Sequence, residues 1–465
     1  MQLGDLLDDF TLDVATSSIE IDYVEIDSRR CRPGTLFFAL PGSTVHGAKF
    51  AADAVGAGAM AVVTSEPLQL DVPVVVVPES QLRALLAHVS ASVVGHPEVG
   101  VDLVGVTGTN GKTSVTTMVR DIALGLGWNG ANIGTLTNER TTPAPPELFR
   151  TLRELVDGFD EGLARSVVAL EVSSHALDQR RVEGLRFAVA AFTNLSHDHL
   201  DYHGSMEEYF AAKSQLFTPE HAQSAVIWCD DPYGERLTAA TALGVTPVRR
   251  SDASEVATSL LGTTFFWRGY LVNTEMVGDY NVDNALMAMT VLGALGARDQ
   301  DIARAMSRVH NVPGRFEVVA SDGVVVIVDY AHTPEGLRRL LGDVRALARG
   351  ARVLTVFGCG GERDQSKRPE MGQVASTYSD LTIVTSDNPR SESPDAIIDA
   401  IMSGTVAGSA VLRVSDRRAA IAEALAQAAR GDVVVIAGKG HETTQVTGDV
   451  VVEFDDRAVA REMLG

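Results

Sequence analysis

Residues Gly108 to Ser114 read GTNGKTS and follow directly on the β-branched run VDLVGVTG. Glycines at such spacing let backbone N–H groups curl around a phosphate. Lys112 adds a compact positive charge, and Thr113 a hydroxyl able to hold Mg²⁺. Counted from Gly108 the spacing is tighter than G-x-x-x-x-G-K-T, and counted from Gly105 the stretch GVTGTNGKT restores a longer match. The bland alternative is a ligand-free Gly-rich turn, and the strand before and helix after decide against it. Glu171 ends a second apolar run, in LEVSSHALDQRR. A carboxylate beside a phosphate loop suits Mg²⁺, which takes one or two carboxylates plus phosphate oxygens. In isolation it would read as a helix cap or surface acid.

Other stretches are dense in reactive types. NLSHDHLDYHG gathers His197, Asp198, His199, Asp201 and His203. A metallo-hydrolase would need H-x-H-x-D-H, and here the last histidine comes one residue late. One histidine ligand fits better than a three-histidine zinc site, because zinc demands fixed spacing. In MEEYFAAKSQLF, Met206, Tyr209, Phe210, Leu216 and Phe217 form one apolar helical stripe, and Lys213 lies on it. Such a lysine either snorkels to water or is buried for a reason. GDYNVDNALMA places Asn281 and Asn284 at the start of a helix, where asparagine also caps. VPGRF supplies Arg315 at a chain boundary, and DYAHTPE supplies Asp329 and His332 after a strand. An arginine at a hinge could clamp a transferring phosphoryl group, or simply be solvated. TSDNPRSESP follows the strand-like DLTIV and sets Asp387, Asn388, Pro389 and Arg390 in one rigid turn that folding does not require. The bland reading pairs Arg390 with Asp387 or Glu392 on the surface.

These loops need a scaffold. SVVALEVSS, VAAFTNLS, VVVIVDYAHTP, RVLTVFGCGGERD, LTIVTSDNPR and VVVIAGKGHE are uninterrupted apolar runs ending in polar or Gly-rich loops. Alternating with helical stretches, they predict α/β architecture with parallel sheets buried on both faces and ligands beyond the carboxyl ends of the strands. TLFFAL, MAVVTS and VPVVVVP predict strands in an Ala-rich first segment. Breaks near Pro97 and Pro313 divide the 465 residues into 1–98, 99–312 and 313–465, each of domain size.

Composition bounds the partners. Hydrophobic residues make up 45% and charged residues 22%, the balance of a soluble globular chain. A net charge of −22 argues against nucleic acid. Three cysteines without paired spacing fit a reducing cytosol. MQLGDLLDDFTLD lacks the basic and apolar regions of a signal peptide, and no run has the length of a membrane span. The expectation is a cytoplasmic protein.

In order, GVTGTNGKTS, LEVSSHALDQRRV, NLSHDHLDYH, AAKSQLF, GDYNVDNALMA, PGRFE, VDYAHTP, GCGGERDQSKRPEMG, TSDNPRSESP and AGKGHET resemble the Mur ligase family. The last four resemble its members that add the third peptide residue of the cell-wall precursor. The resemblance covers nearly the whole chain and is weakest in the first segment, where DSRRCRPGTLFFALPG carries it. It implies a UDP-binding domain at 1–98, a central P-loop ATPase and ligase domain at 99–312, and a Rossmann-like amino-acid-binding domain at 313–465. It implies a monomer that takes ATP, Mg²⁺, UDP-N-acetylmuramoyl-L-alanyl-D-glutamate and meso-2,6-diaminopimelate. ATP would phosphorylate the D-Glu side-chain carboxylate, and the incoming amine would displace phosphate.

Carried over by position, Gly108, Thr109, Asn110, Gly111, Lys112, Thr113 and Ser114 would hold the ATP phosphates. Asn281, Asn284, Arg315, Asp329 and His332 would contact nucleotide. Thr113, Glu171, His199 and a carbamylated Lys213 would surround Mg²⁺, with Lys112, Glu171, His199 and Lys213 catalytic. Ser28 would meet UDP. In PGSTVHGAKF the uridine-contacting tripeptide differs from that of similar proteins and falls on Ser43, Thr44 and Val45. Thr141, Thr142, Ser173, Gln179 and Arg181 would meet the muramoyl-peptide. Arg363, Asp387, Asn388, Pro389, Arg390, Gly438 and Glu442 would bind diaminopimelate, with Arg390 on its distal carboxylate. Two rivals remain at this point. A folate polyglutamyl ligase would share the phosphate loop but lack DNPR and GKGHE. A nucleotide-binding regulator without turnover would not need Glu171, His199 and Lys213 together.

Overall fold

A computed structural model describes residues 1–464 except 9, 43, 44, 139, 321 and 322, so two expected uridine contacts, Ser43 and Thr44, lie outside the described residues. The first segment folds into a parallel sheet in the order Tyr23–Glu25, Thr35–Ala39, Ala59–Thr64, Val74–Val76. Thr35–Ala39 is buried at every position. Leu36 and Phe38 pack towards Leu82 and Leu86 of the helix Glu79–Val93, while Phe37 faces Ala51 and Ala54 on the other side. Side chains alternate across a strand, so an unbroken apolar run serves two covered faces.

The second sheet runs Gly244–Val248, Ala222–Trp228, Phe187–Phe192, Asp102–Thr107, Ser166–Glu171, Asn129–Ile133, all parallel. Val106 is in register with Glu171, and Thr107 with Phe192. The phosphate loop, Glu171 and the histidine-rich loop therefore leave the sheet side by side.

Two details of this unit depart from expectation. Ala253–Ser259, Gly262–Trp267 and Tyr270–Thr274 form an antiparallel sheet. Its two-residue turn, Arg268-Gly269, has positive φ at both positions (49° and 84°), as a tight hairpin demands. Phe265, Trp267 and Val272 cover the core of the second unit. Asn281 and Asn284 are not caps: the helix Asp279–Ala294 is preceded by Gly278 (φ 100°), and both asparagines lie inside it, buried.

The third sheet runs Glu317–Ala320, Val325–Asp329, Val433–Ala437, Val353–Phe357, Leu381–Val384, Val411–Arg413. Only the edge strand Glu317–Ala320 is antiparallel. Ala437 is in register with both Asp329 and Phe357, and Phe357 with Val384. The loops after these strands thus share one rim. A hairpin, Thr444–Thr447 with Val450–Glu453, follows the last loop. The three cysteines are buried and unbonded, and no helix among the described residues is long and apolar enough to cross a membrane.

Arg417 fastens this rim from below. It is 1% exposed, pairs with the fully buried Asp456 at 2.7 Å, and donates to the carbonyls of Ser386 (3.2 Å) and Ala437 (3.0 Å). Leaving one member of a buried pair alone costs about 3–5 kcal/mol. Asp456→Ala is expected to destabilise the third unit by about that amount in urea denaturation. The double variant Arg417→Met/Asp456→Leu should lose less.

Candidate active site

The phosphate loop has no room for side chains at its glycines. A Cβ at Gly108 (φ 150°) would overlap the Thr193 hydroxyl, and one at Gly111 (φ 88°) would collide with Asn284 Oδ1. Asn194 sets the loop's height, accepting from Thr109 N through its carbonyl (2.9 Å) and from Asn110 N through its side chain (3.0 Å). Lys112 Nζ donates to the carbonyls of Gly108 and Thr109, both at 2.9 Å. Ser114 is buried in the first turn of the helix Lys112–Gly125.

Glu171 accepts from Thr113 Oγ1 (3.0 Å) and Thr135 N (2.9 Å). A Cβ at Gly134 would overlap its carboxylate. Arg315 stacks on Tyr330, 4.2 Å from the ring centre, and donates to Thr113 Oγ1 at 3.2 Å. A hydroxyl and one carboxylate beside a phosphate cradle are hard oxygen donors that fit Mg²⁺. Among the described residues no group of three or more His, Cys, Asp or Glu could hold a metal alone. His199, in a left-handed backbone conformation (φ 55°), lies 3.5 Å from Asp198. Burial holds its pKa down to about 3, so the ring is neutral.

Lys213 does not snorkel. It is 1% exposed, donates to Gly108 O (2.8 Å), lies over the Tyr209 ring, and among the described residues has no carboxylate within ion-pair distance. Burial, then the charge of Lys112, holds its pKa well below the usual lysine range.

Two clefts meet these groups, and a third lies apart from them. The first, about 750 Å³, is lined by Asn110, Gly111, Ser114, Asn284, Arg315 and Asp329, among others. Asn281 is turned away, donating to Val277 O at 2.8 Å and holding Asn284 through its Oδ1 (3.4 Å). Asp329 is committed to structure: it accepts from Phe316 N (2.7 Å), Ala331 N (2.7 Å) and Tyr280 Oη (2.9 Å), which fixes the chain beside Arg315. His332 is absent from this lining and lines the second cleft instead.

The second cleft, about 210 Å³, brings both rims together: Thr109–Thr113, Thr141, Glu171, His199 and Arg315 face Arg363, Asp387, Asn388, Arg390, Gly438 and Glu442. The rims are joined by Asp198 and Lys367, 3.4 Å apart and both buried. His197 and Asp364 add a contact at 3.1 Å. Burial would raise the Asp198 carboxyl, but chiefly the charge of Lys367 holds it well below the usual range. Lys367 and Asp364 were not singled out in the sequence, because they sit in the surface-like string GERDQSKRP.

Arg390 forms no ion pair among the described residues. Glu392, its expected surface partner, is held by Arg368 at 2.9 Å, and Arg390 donates to Gly361 O at 2.6 Å. Arg363 is likewise unpaired, and the bare Gly360 faces both arginine side chains. A Cβ at Gly361 would overlap the Pro389 carbonyl, which pins the turn. A Cβ at Gly438 (φ 113°) would fall 2.8 Å from Asp387 Oδ2. Glu442 accepts from Asn388 Nδ2 at 2.7 Å.

The third cleft, about 690 Å³, lies between the first two units and is lined by Ser28, Arg30, Phe50, Arg140 and Glu147, among others. Val45 is exposed and lies outside that lining. Thr142 Oγ1 donates to Glu171 O (2.8 Å) and accepts from Ser173 N (3.0 Å). Arg181 donates to Thr142 O (2.9 Å) and Gln179 Oε1 (2.7 Å). Ser173 also caps the helix Ser174–Asp178. Arg83, which no sequence signal marks, reaches Pro41 O (3.3 Å) and Gln179 O (3.4 Å) across the same boundary.

Three units around one phosphate loop, with an unpaired arginine pair facing it, describe a nucleotide-dependent ligase. Family models match in chain order: the Mur ligase family catalytic domain over residues 20–98, the Mur ligase middle domain over 106–292, and the Mur ligase glutamate ligase domain over 314–440. The chain belongs to the Mur ligase family. It is 44% identical to the UDP-N-acetylmuramoyl-L-alanyl-D-glutamate–2,6-diaminopimelate ligase of Geobacillus kaustophilus, over 95% of this chain and 94% of that protein. It is 42% identical to the protein of the same name from Gloeobacter violaceus, over 100% and 98%. A solved structure of a ligase of that name superposes with a TM-score of 0.68 at 29% identity, covering 100% of this chain and 98% of that one. Folylpolyglutamate synthase of Mycobacterium tuberculosis, solved with ADP and AMPPCP, shares the fold (TM-score 0.58, 20% identity, 75% and 91% coverage). Fold alone therefore does not separate this chain from the folate rival.

Gly134→Ala is expected to push Glu171 off Thr113. A misplacement of about 1 Å can cost roughly 10²-fold. The check is ADP release, which should fall by about that factor, with an unchanged circular-dichroism spectrum.

Proposed function

We propose that this chain uses ATP to join meso-2,6-diaminopimelate to the D-glutamyl side-chain carboxylate of UDP-N-acetylmuramoyl-L-alanyl-D-glutamate, a step of peptidoglycan precursor synthesis. The carrying observation is the second cleft, where the phosphate loop and the unpaired Arg363 and Arg390 line one cavity. Residues 1–98 take the uridine end, 99–312 the ATP, and 313–465 the amino acid. The enzyme acts as a cytoplasmic monomer, for which its buried, unbonded cysteines are suited.

A carboxylate is a poor electrophile, and phosphorylation makes its oxygen a good leaving group. The loop amides and Lys112 hold the phosphates, and Arg315 is placed to stabilise charge on the group in transfer. Thr113, Glu171 and His199 would hold Mg²⁺, which supplies charge neutralisation at the phosphate oxygens. Lys213 is enclosed and its pKa is held well below the usual lysine range, which favours an amine lone pair able to add carbon dioxide, and the resulting carbamate would give the site a second anion. Thr142, Gln179 and Arg181 orient the peptide end, and Thr142 does so from the carbonyl of Glu171 itself.

Diaminopimelate differs from lysine by one carboxylate on the distal amino-bearing carbon. Arg390 can grip it through two parallel hydrogen bonds, which an ammonium cannot copy. Arg363 takes the other carboxylate, and Gly438 and Glu442 face the distal ammonium. Lysine would leave Arg390 enclosed and unpaired, and sites built to bond a missing group reject the analogue by roughly 10⁴-fold.

ADP release should require the UDP-muramoyl-dipeptide and meso-diaminopimelate together, with L-lysine poorer by roughly 10⁴-fold. Arg390→Ala should lose the diaminopimelate reaction. Efficient lysine use by the wild type, or an unimpaired Arg390→Ala, overturns the assignment. Lys213→Ala should be inactive and regain part of its activity in short-chain carboxylates, which return the missing anion. A fully active Lys213→Ala would refute the carbamate role.

A further inference from the structure

Lys439 is a fully enclosed ammonium, 0% exposed, to which none of the steps above gives a role. Its contacts are Thr444 O (2.7 Å), Asn388 Oδ1 (3.1 Å) and Glu442 Oε2 (3.2 Å). An ammonium has three N–H groups, so all are committed. Asn388 Oδ1 also accepts from Val446 N at 3.0 Å. With its oxygen taken twice, the amide must turn its Nδ2 to Glu442, which it meets at 2.7 Å. One enclosed cation thereby fixes both a carboxylate and an amide of the amino-acid rim.

The segment after Lys439 holds the rest of that rim by its backbone. Val446 O accepts from Arg390 N (3.1 Å), and Gly448 N donates to Arg390 O (2.7 Å). Gln445 Nε2 donates to Asp387 O at 2.7 Å. Arg390 has φ 52°, a conformation that a non-glycine residue keeps only where its surroundings over-determine it. Here the surroundings are the hairpin Thr444–Glu453. Its outer strand is bare: Val450 and Val451 are each 61% exposed and Val452 is 47% exposed. A two-stranded hairpin is marginal by itself, so these bonds to residues 387–390 and to Lys439 hold it in place.

We infer that Lys439 is a positioning residue and the hairpin Thr444–Glu453 a clamp that together set the spacing between Arg390 and Glu442, and so the enzyme's choice of a diamino acid with a distal carboxylate. Lys439 is enclosed and touches no substrate; it acts through Asn388 and Glu442. The inference rests on the proposed amino-acid pocket. It extends that reading to residues outside the cleft lining, in which neither Lys439 nor residues 444–453 take part.

The test is Lys439→Met, which keeps the length and removes the charge. Loss of hydrogen bonds to charged groups predicts a rise of about 10- to 100-fold in KM for meso-diaminopimelate, with KM for ATP unchanged. Discrimination against L-lysine should shrink. Hydrogen exchange of the substrate-free variant should be faster at the Val446 and Gly448 amides. Should Lys439→Met fail to fold, Gln445→Ala removes one clamp bond from a half-buried position and should move the same readouts in the same direction. A folded variant with unchanged exchange at those amides and unchanged KM for diaminopimelate overturns the inference. Exchange is read without substrate, so the clamp stands or falls separately from the pocket's assignment. Wild-type use of meso-diaminopimelate tests the latter.

Discussion

Asp198 and Lys367 carry opposite charges into a space where neither could sit alone. They come from a loop of the second unit and the first turn of a helix of the third, 169 positions apart in the chain, and meet at 3.4 Å with almost no water contact. Such a pair adds little net stability over an apolar contact, because desolvation offsets most of the attraction. Its weight lies in registration. With the pair formed, the phosphate-loop rim and the rim of the third unit face each other across about 210 Å³. His199 and His332, both kept neutral by burial, flank the same carboxylate without competing for its charge. Every chemical role assigned to the second cleft presupposes this closure.

The sheets behind the rims are conventional, and the irregularity is concentrated in the loops. His199, Phe316, Glu362 and Arg390 all have positive φ (55°, 45°, 53° and 52°), and each borders the junction between the second and third units. Non-glycine residues in this region carry strain that surrounding bonds must hold. Asp329 does so at Phe316, accepting its amide at 2.7 Å. The buried strands thus supply a stiff base, and a few tightly bonded residues aim the side chains.

Much of this was legible in the residues. Uninterrupted valine- and isoleucine-rich runs can only be strands covered on both faces, so the parallel sheets and their polar rims followed from pattern. Lys213 stood out because a lysine on an apolar stripe contradicts its surroundings. The antiparallel sheet at 253–274 was not foreseen: its strands alternate, and their Arg-Gly turn is a weak signal beside long parallel runs. Asn281 and Asn284 resembled caps because sequence does not show that Gly278 already begins the helix. Contacts across units were the least readable. Asp198 was visible in a loop dense with ligand types, but its partner Lys367 lies in a string of charges that looks solvated. Arg83, bridging Pro41 and Gln179, has no local peculiarity at all. Partners distant in sequence leave no period and no spacing to detect.

The anchoring of two loops on one guanidinium has an evolutionary consequence. Arg417 bonds the carbonyls at Ser386 and Ala437, the residues that launch the DNPR turn and the GKGHE turn. A substitution that shifts either loop to suit a differently shaped amino acid also pulls on the other through the same side chain. Residues sharing one network do not vary independently, and their effects are not additive. Descendants with altered substrate choice would therefore be reached through joint replacements in both turns, and single steps along that route would register as losses. Epistasis of this kind makes the preference of such a pocket conservative on mutational timescales, even though its individual contacts are few.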